Sequence, residues 1–138
     1  MTEQEANVAA LRKGYDLWNG SQAASAQHWM DMIDDDVRWR SLGDGAAGAE
    51  FTRECCSKDE VLRYFEQMGA QWTLISYDAN EFIAQGDRVV MLGSCEWAHR
   101  QTGKAVKTPK ADVVRFRDGK IVEFMEYYDT AAVSAATR

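Results

Sequence analysis

Near the end of the chain, Lys110-Ala-Asp112-Val-Val-Arg-Phe116 and Val122-Glu-Phe124-Met-Glu126-Tyr-Tyr128 set ionisable residues into apolar runs. A carboxyl group among apolar neighbours is disfavoured as an anion, so its pKa rises and it can donate a proton near neutral pH. A second carboxyl held beside a lysine stays ionised and can accept one. Two titratable groups pushed apart in this way are what proton transfer without a cofactor needs. Lys110 opposite Glu126 would hold that glutamate charged, leaving Asp112 or Glu96 as the neutral acid. Asp112, flanked by Val113 and Val114, would be costly to bury without such a role.

These residues must be positioned by strands. The two runs flank Asp118-Gly119, a hairpin signal. A two-residue Asp-Gly turn would place Asp112 opposite Met125. A three-residue loop, Arg117-Asp118-Gly119, places Asp112 opposite Phe124 and Lys110 opposite Glu126. The three-residue loop is preferred, because it collects Thr108, Lys110, Asp112, Glu126 and Tyr128 at one end of one face. Val114, Phe116, Val122 and Phe124 then line the turn end, and Val113, Ile121, Met125 and Tyr127 lie on the opposite face. A sheet apolar on both faces is covered on both. Helices can cover one; a second copy of the chain is the expected cover for the other.

The rest of the chain supplies those helices. Residues 3–19 read as a helix with Val8, Leu11, Tyr15 and Trp18 on one face. Asn19-Gly20 stops it, and Ser21 is the expected cap of a second helix reaching about Met32. Asp36 to Ser41 alternates as a short strand, with Val37, Trp39 and Ser41 on one side. Ser57-Lys-Asp-Glu60 is a capping box opening a third helix with the stripe Val61, Phe65 and Met68. Strands follow at Trp72–Ala84, Arg88–His99, Ala105–Arg117 and Lys120–Asp129. Helices first and consecutive strands afterwards predict an α+β domain.

Composition narrows the function classes. The 138 residues suffice for one domain with its own core. A surplus of 22 acidic over 16 basic residues, net charge −6, argues against nucleic acid or an anionic membrane as the main partner. Cys55, Cys56 and Cys95 are an odd set without spacing pattern, which predicts reduced thiols and a cytoplasmic protein. The acidic N-terminal stretch does not read as a signal peptide, and no apolar run is long enough to span a bilayer. His28 and His99 show no ligand spacing with cysteine or carboxylate, so no metal is expected. Gly43-Asp-Gly-Ala-Ala-Gly48 matches a dinucleotide fingerprint literally but lacks the βαβ context; it reads as a loop over the pocket mouth. No cofactor is expected.

The order helix, helix, short strand, helix, four strands resembles the nuclear transport factor 2-like superfold. The ending carries the resemblance: Asp118-Gly-Lys-Ile121, then Glu126-Tyr-Tyr-Asp129. Within that superfold the chain is most similar to SnoaL-like, ketosteroid isomerase-like and limonene epoxide hydrolase-like enzymes. The resemblance implies a curved, mostly antiparallel sheet wrapped by three N-terminal helices into a cone with an internal apolar pocket. It also implies a homodimer formed through the convex sheet face.

Its site residues carry over one at a time. Tyr15 and Asp112 fall where the isomerases keep an oxyanion hole, and Ser41 stands where their general base would be an aspartate. Glu96 and Glu126 fall at the two carboxylate positions of the epoxide hydrolases, with Ser94 in place of the arginine between them. The resemblance thus implies Asp112, Glu126, Glu96 and Tyr15 as catalytic candidates. Trp39, Ser41, Ser94, Lys110, Phe124 and Tyr128 would contact a small, mainly apolar molecule. Two function classes remain open at this level: a cofactor-free acid–base enzyme, or a binding or scaffolding protein of the same fold.

Overall fold

The computed structural model describes residues 1–138. Helices α1 (Glu3–Gly20) and α2 (Ala26–Met32) lead into strand β1 (Ile33–Ser41). A short 3₁₀ turn at Glu50–Thr52 precedes α3 (Lys58–Gln71). Strands β2 (Trp72–Gln85), β3 (Arg88–His99), β4 (Ala105–Arg117) and β5 (Lys120–Tyr128) follow, and α4 (Thr130–Ala136) closes the chain. The sheet order is β1-β5-β4-β3-β2, with β1 parallel to β5 and every other pair antiparallel. This is the expected α+β architecture, a curved and unclosed sheet with helices against its concave face.

Local chemistry accounts for the elements. Thr2 caps α1, its hydroxyl accepting the Glu5 N–H at 3.1 Å, while Glu3 and Glu5 sit favourably at the positive end of the helix dipole. Leu11, Tyr15 and Trp18, one turn apart, are the buried face. Ser57 caps α3 through the Glu60 N–H at 3.2 Å, and Val61, Tyr64 and Phe65 turn inward. Trp39 and Phe124 stack at the centre of the core, with ring centroids 3.8 Å apart and planes within 6°.

Ser21 does not cap α2. Gln22 and Ala23 adopt left-handed φ of 53° and 68°, and the Ser21 hydroxyl accepts the Ala24 N–H within the turn they make. The helix therefore starts at Ala26. Helix α4 carries no long apolar stripe to announce it; the Asp129 carboxylate caps it through the Ala132 N–H.

The β4–β5 register differs from both alternatives weighed above. Asp118 and Gly119, both with positive φ (51° and 77°), form a two-residue turn that pairs Arg117 with Lys120. A bulge then intervenes, since Phe116 pairs with Ile121 but Arg115 pairs with Glu123. Beyond it Asp112 lies opposite Glu126, and Lys110 opposite Tyr128. The extra residue on β5 is Val122, so Ile121 rather than Val122 enters the core, fully buried. One inserted residue reverses the side-chain parity of a two-residue hairpin. That is why Asp112, Phe124 and Glu126 still share the inner face.

The other face of the sheet has no cover within the chain. Val90, Leu92, Val113 and Met125 are half-buried there, and Ile75, Ile83 and Tyr127 are exposed.

Candidate active site

One deep pocket opens on the concave face, and apolar side chains form most of its wall. All five tryptophans of the chain, Trp18, Trp29, Trp39, Trp72 and Trp97, line it. At its polar end β4 contributes Thr108, Lys110 and Asp112, and β5 contributes Phe124, Glu126 and Tyr128. The alternation of the strands delivers these side chains to one face. The register sets Asp112 directly beside Glu126.

Lys110 joins the two carboxylates. Its Nζ lies 3.0 Å from Asp112 Oδ1 and 2.9 Å from Glu126 Oε2, and donates to Tyr77 Oη at 2.8 Å. An ammonium has three protons, and these three neighbours take them. Asp112 Oδ2 accepts from Tyr15 at 2.7 Å, Tyr77 at 3.1 Å and Lys110 at 3.2 Å. Tyr64 on α3 donates to Glu126 Oε1 at 2.5 Å. Tyr15 and Tyr77 are also stacked ring on ring.

One cation cannot offset two buried carboxylates equally. At Asp112, wholly buried, desolvation pushes the carboxyl above its ordinary value, against the opposing pull of Lys110 and with Glu126 adding to the rise. At Glu126 burial also pushes upward. There the Lys110 ammonium and hydrogen bonds from Tyr64, Lys110 and Ser41 outweigh it, and the carboxyl falls below its ordinary value. Lys110 is held protonated: burial opposes the charge, but Asp112 and Glu126 together more than restore it. Burial, then the neighbouring carboxylates, likewise keep Tyr15, Tyr64 and Tyr77 un-ionised. The two carboxyls are thus pushed apart in proton affinity, Asp112 upward and Glu126 downward.

Of the residues singled out in the sequence, Tyr15, Trp39, Lys110, Asp112, Phe124, Glu126 and Tyr128 meet at this pocket. Ser41 is buried beside it, its Oγ 2.9 Å from Tyr128 Oη. Ser94 and Glu96 do not belong to the site. Cys95 pairs with Thr108 and lines the pocket with Trp97, so alternation sends Ser94 and Glu96 to the opposite face. The resemblance put Glu96 and Glu126 at two carboxylate positions with Ser94 in place of the cation between them; in the structure Lys110 is the cation, between Asp112 and Glu126. Tyr64 and Tyr77 line the pocket and bond its carboxyls without having been singled out from sequence. Their signal was there: a tyrosine in a buried stripe needs a partner for its hydroxyl.

No group of three or more His, Cys, Asp or Glu side chains is placed to hold a metal ion. No helix is long and apolar enough to cross a membrane.

With this fold and this site, the chain belongs to the SnoaL-like domain family, whose model matches residues 11–124. No curated protein matches the sequence. Among solved structures, an NTF2-like protein from Burkholderia thailandensis E264 is similar at 26% identity and TM-score 0.80, covering 100% of this chain and 99% of that one. An NTF2-like protein of unknown function from Burkholderia pseudomallei K96243 is similar at 24% identity and TM-score 0.80, covering 99% and 98%. A protein with a ketosteroid isomerase-like fold from Catenulispora acidiphila DSM 44928, in complex with trimethylamine, shares the fold at 14% identity and TM-score 0.74, covering 93% and 91%.

Proposed function

We propose that the chain is a cofactor-free acid–base enzyme acting on a small, mainly apolar molecule, of isomerase, cyclase, dehydratase or epoxide-opening type. The observation that carries this reading is the shared cation: Lys110 lies within 3.0 Å of both carboxylates at the end of an aromatic pocket. Glu126 is the base, because it is held ionised and reaches the cavity. Asp112 is the proton reserve, held behind Lys110 with Tyr15 and Tyr77 keeping its orientation. The small ligand in the Catenulispora acidiphila structure is consistent with a pocket of this fold accepting a small molecule.

A second reading, a binding protein without chemistry, is favoured by one feature. Ser41 occupies the position where the isomerases keep their base, and its hydroxyl is bonded to Tyr128.

NMR titration of ¹³C-labelled carboxyl groups tests the two. The enzyme reading expects Glu126 to titrate below, and Asp112 above, the ordinary values for their residue types. If both titrate at ordinary values, the acid–base site is wrong and the binding reading replaces it.

The proposal extends to assembly and place. A second copy of the chain is the natural cover for the apolar outer face around Val113, Met125 and Tyr127, leaving the pockets open away from the interface. Light scattering should then give a dimer mass; a monomer mass that does not change with concentration would rule it out. The three free cysteines fit the reducing cytoplasm.

A further inference from the structure

At the polar end of the pocket almost every proton already has an acceptor. Tyr15 and Tyr77 donate to Asp112, and Tyr64 donates to Glu126. The three protons of Lys110 face Asp112, Glu126 and Tyr77. The hydroxyls of Thr108 and Thr52 are committed to the backbone carbonyls of Pro109 and Ala49. The exception is the Ser41–Tyr128 pair. Its two oxygens, 2.9 Å apart, carry two hydroxyl protons and use one of them between themselves. Lone pairs are not used up in the same way. A carboxylate has about four acceptor sites. Glu126 receives Tyr64 at Oε1 and Lys110 at Oε2, which leaves about two open. Glu126 is also the carboxylate that the cavity reaches, since it keeps 8% exposure and Asp112 has none.

We infer that the pocket takes an apolar ring compound bearing a neutral hydroxyl group, whose O–H donates to Glu126 and whose oxygen accepts from Tyr128. The inference rests on the small-molecule reading proposed above and narrows its substrate class. A hydroxyl both donates and accepts, and this end of the pocket offers open lone pairs beside one adaptable hydroxyl. Tyr128 lines the same wall and is half-buried there. It donates to a ligand when Ser41 is the donor of the pair. Trp39 also lines the pocket, and its buried Nε1 bonds nothing within the protein; a ligand oxygen is the kind of acceptor it lacks.

Other head groups fit less well. A carboxylate would bring a third carboxyl to a cluster that already shares one ammonium between two. A carbonyl or ether oxygen only accepts, so it would set lone pairs against the lone pairs of Glu126. That charged acceptor would then be shut off from water without a donor, which is unfavourable. An ammonium could donate to Glu126, but it could not accept from Tyr128 and would stand beside the like charge of Lys110. The rest of the wall, with its five tryptophans, suits the apolar rings of the molecule.

The test compares naphthol, methoxynaphthalene and naphthoate, all substituted at the same ring position, so that only the head group changes. Each is titrated calorimetrically at pH 7 into the wild-type protein, and the ¹³C carboxyl spectrum is recorded at saturation. Naphthol should bind about tenfold tighter or more than either analogue, the usual effect of leaving a charged acceptor unpaired. It should also shift the Glu126 carboxyl resonance more than the ether does. A preference for naphthol below about threefold, or a Glu126 resonance that naphthol leaves in place, overturns the hydroxyl inference. Binding by none of the three overturns it together with the small-molecule reading. The acid–base assignment is decided separately, by the Glu126 and Asp112 midpoints in the same labelled sample. Ordinary midpoints with naphthol preferred would support the hydroxyl inference in a protein that binds without chemistry.

Discussion

Replacing Lys110 with methionine should cost the native state about 3–5 kcal/mol near neutral pH, the usual penalty for removing one partner of a buried ion pair. The figure applies because the Lys110 side chain is only 9% exposed and both of its carboxylate partners are as deeply placed. The pH dependence makes the prediction specific. In the wild type Glu126 is held below its ordinary value, so its contribution is present above that value and is lost as pH falls through the native midpoint. Without Lys110, burial and mutual repulsion push both carboxyls upward. Their protonated forms then favour the native state at acid pH, and that stability is lost as pH rises. The penalty of Lys110→Met should therefore be small at about pH 4 and largest at about pH 7. Urea denaturation at the two pH values measures it. A penalty that does not change with pH would mean that Lys110 supports packing alone.

Glu126→Gln should lower turnover by about 10²–10⁴, the usual contribution of a positioned general base. Glutamine keeps the shape of glutamate and an oxygen for Lys110, but it cannot take a proton. Asp112→Asn should lower turnover as well. Its amide oxygen can still accept from Tyr15 and Tyr77, but it holds no transferable proton. Affinity should change little in either variant. Because every tryptophan of the chain lines the pocket, intrinsic fluorescence reads affinity separately from rate. A small-molecule library that quenches this fluorescence would supply the substrate candidates for the rate measurement. If both substitutions weaken binding and leave turnover as it was, the carboxyls are ligand contacts and the base assignment fails.

These tests bear on residues whose legibility in the sequence was uneven. Asp112, Glu126, Lys110 and Tyr128 stand out because polar residues in apolar strands violate the alternation around them. Ser94 and Glu96 are equally eligible by that criterion, and nothing within Arg88–His99 says which alternate set faces the pocket. Leu92, Ser94 and Glu96 could have been the inner face as readily as Met91, Cys95 and Trp97. Pairing of Cys95 with Thr108 decides it, and pairing is a property of two strands. Tyr64 and Tyr77 were hidden for a related reason. Each lies far along the chain from the carboxylate it serves, at separations of 62 and 35 residues.

Short-range chemistry was enough for the elements themselves. The helical spacing of Leu11, Tyr15 and Trp18, the Ser57–Glu60 cap and the Asp118-Gly119 turn depend on neighbours within a few residues, so they can be read directly. The sequence by itself determined an α+β chain of the SnoaL-like kind, with Asp112 and Glu126 on the inner face of its last hairpin. Only the tertiary structure decided that Val122 bulges, which sets Asp112 opposite Glu126. It also decided that Lys110 serves both carboxyls, and that Ser41 sits beside Glu126 across β1 and β5 with its hydroxyl against Tyr128. The physical reason is that the bulge, the shared ammonium and the β1–β5 pairing are each settled by groups brought together from distant parts of the chain, where burial and charge act on all of them at once.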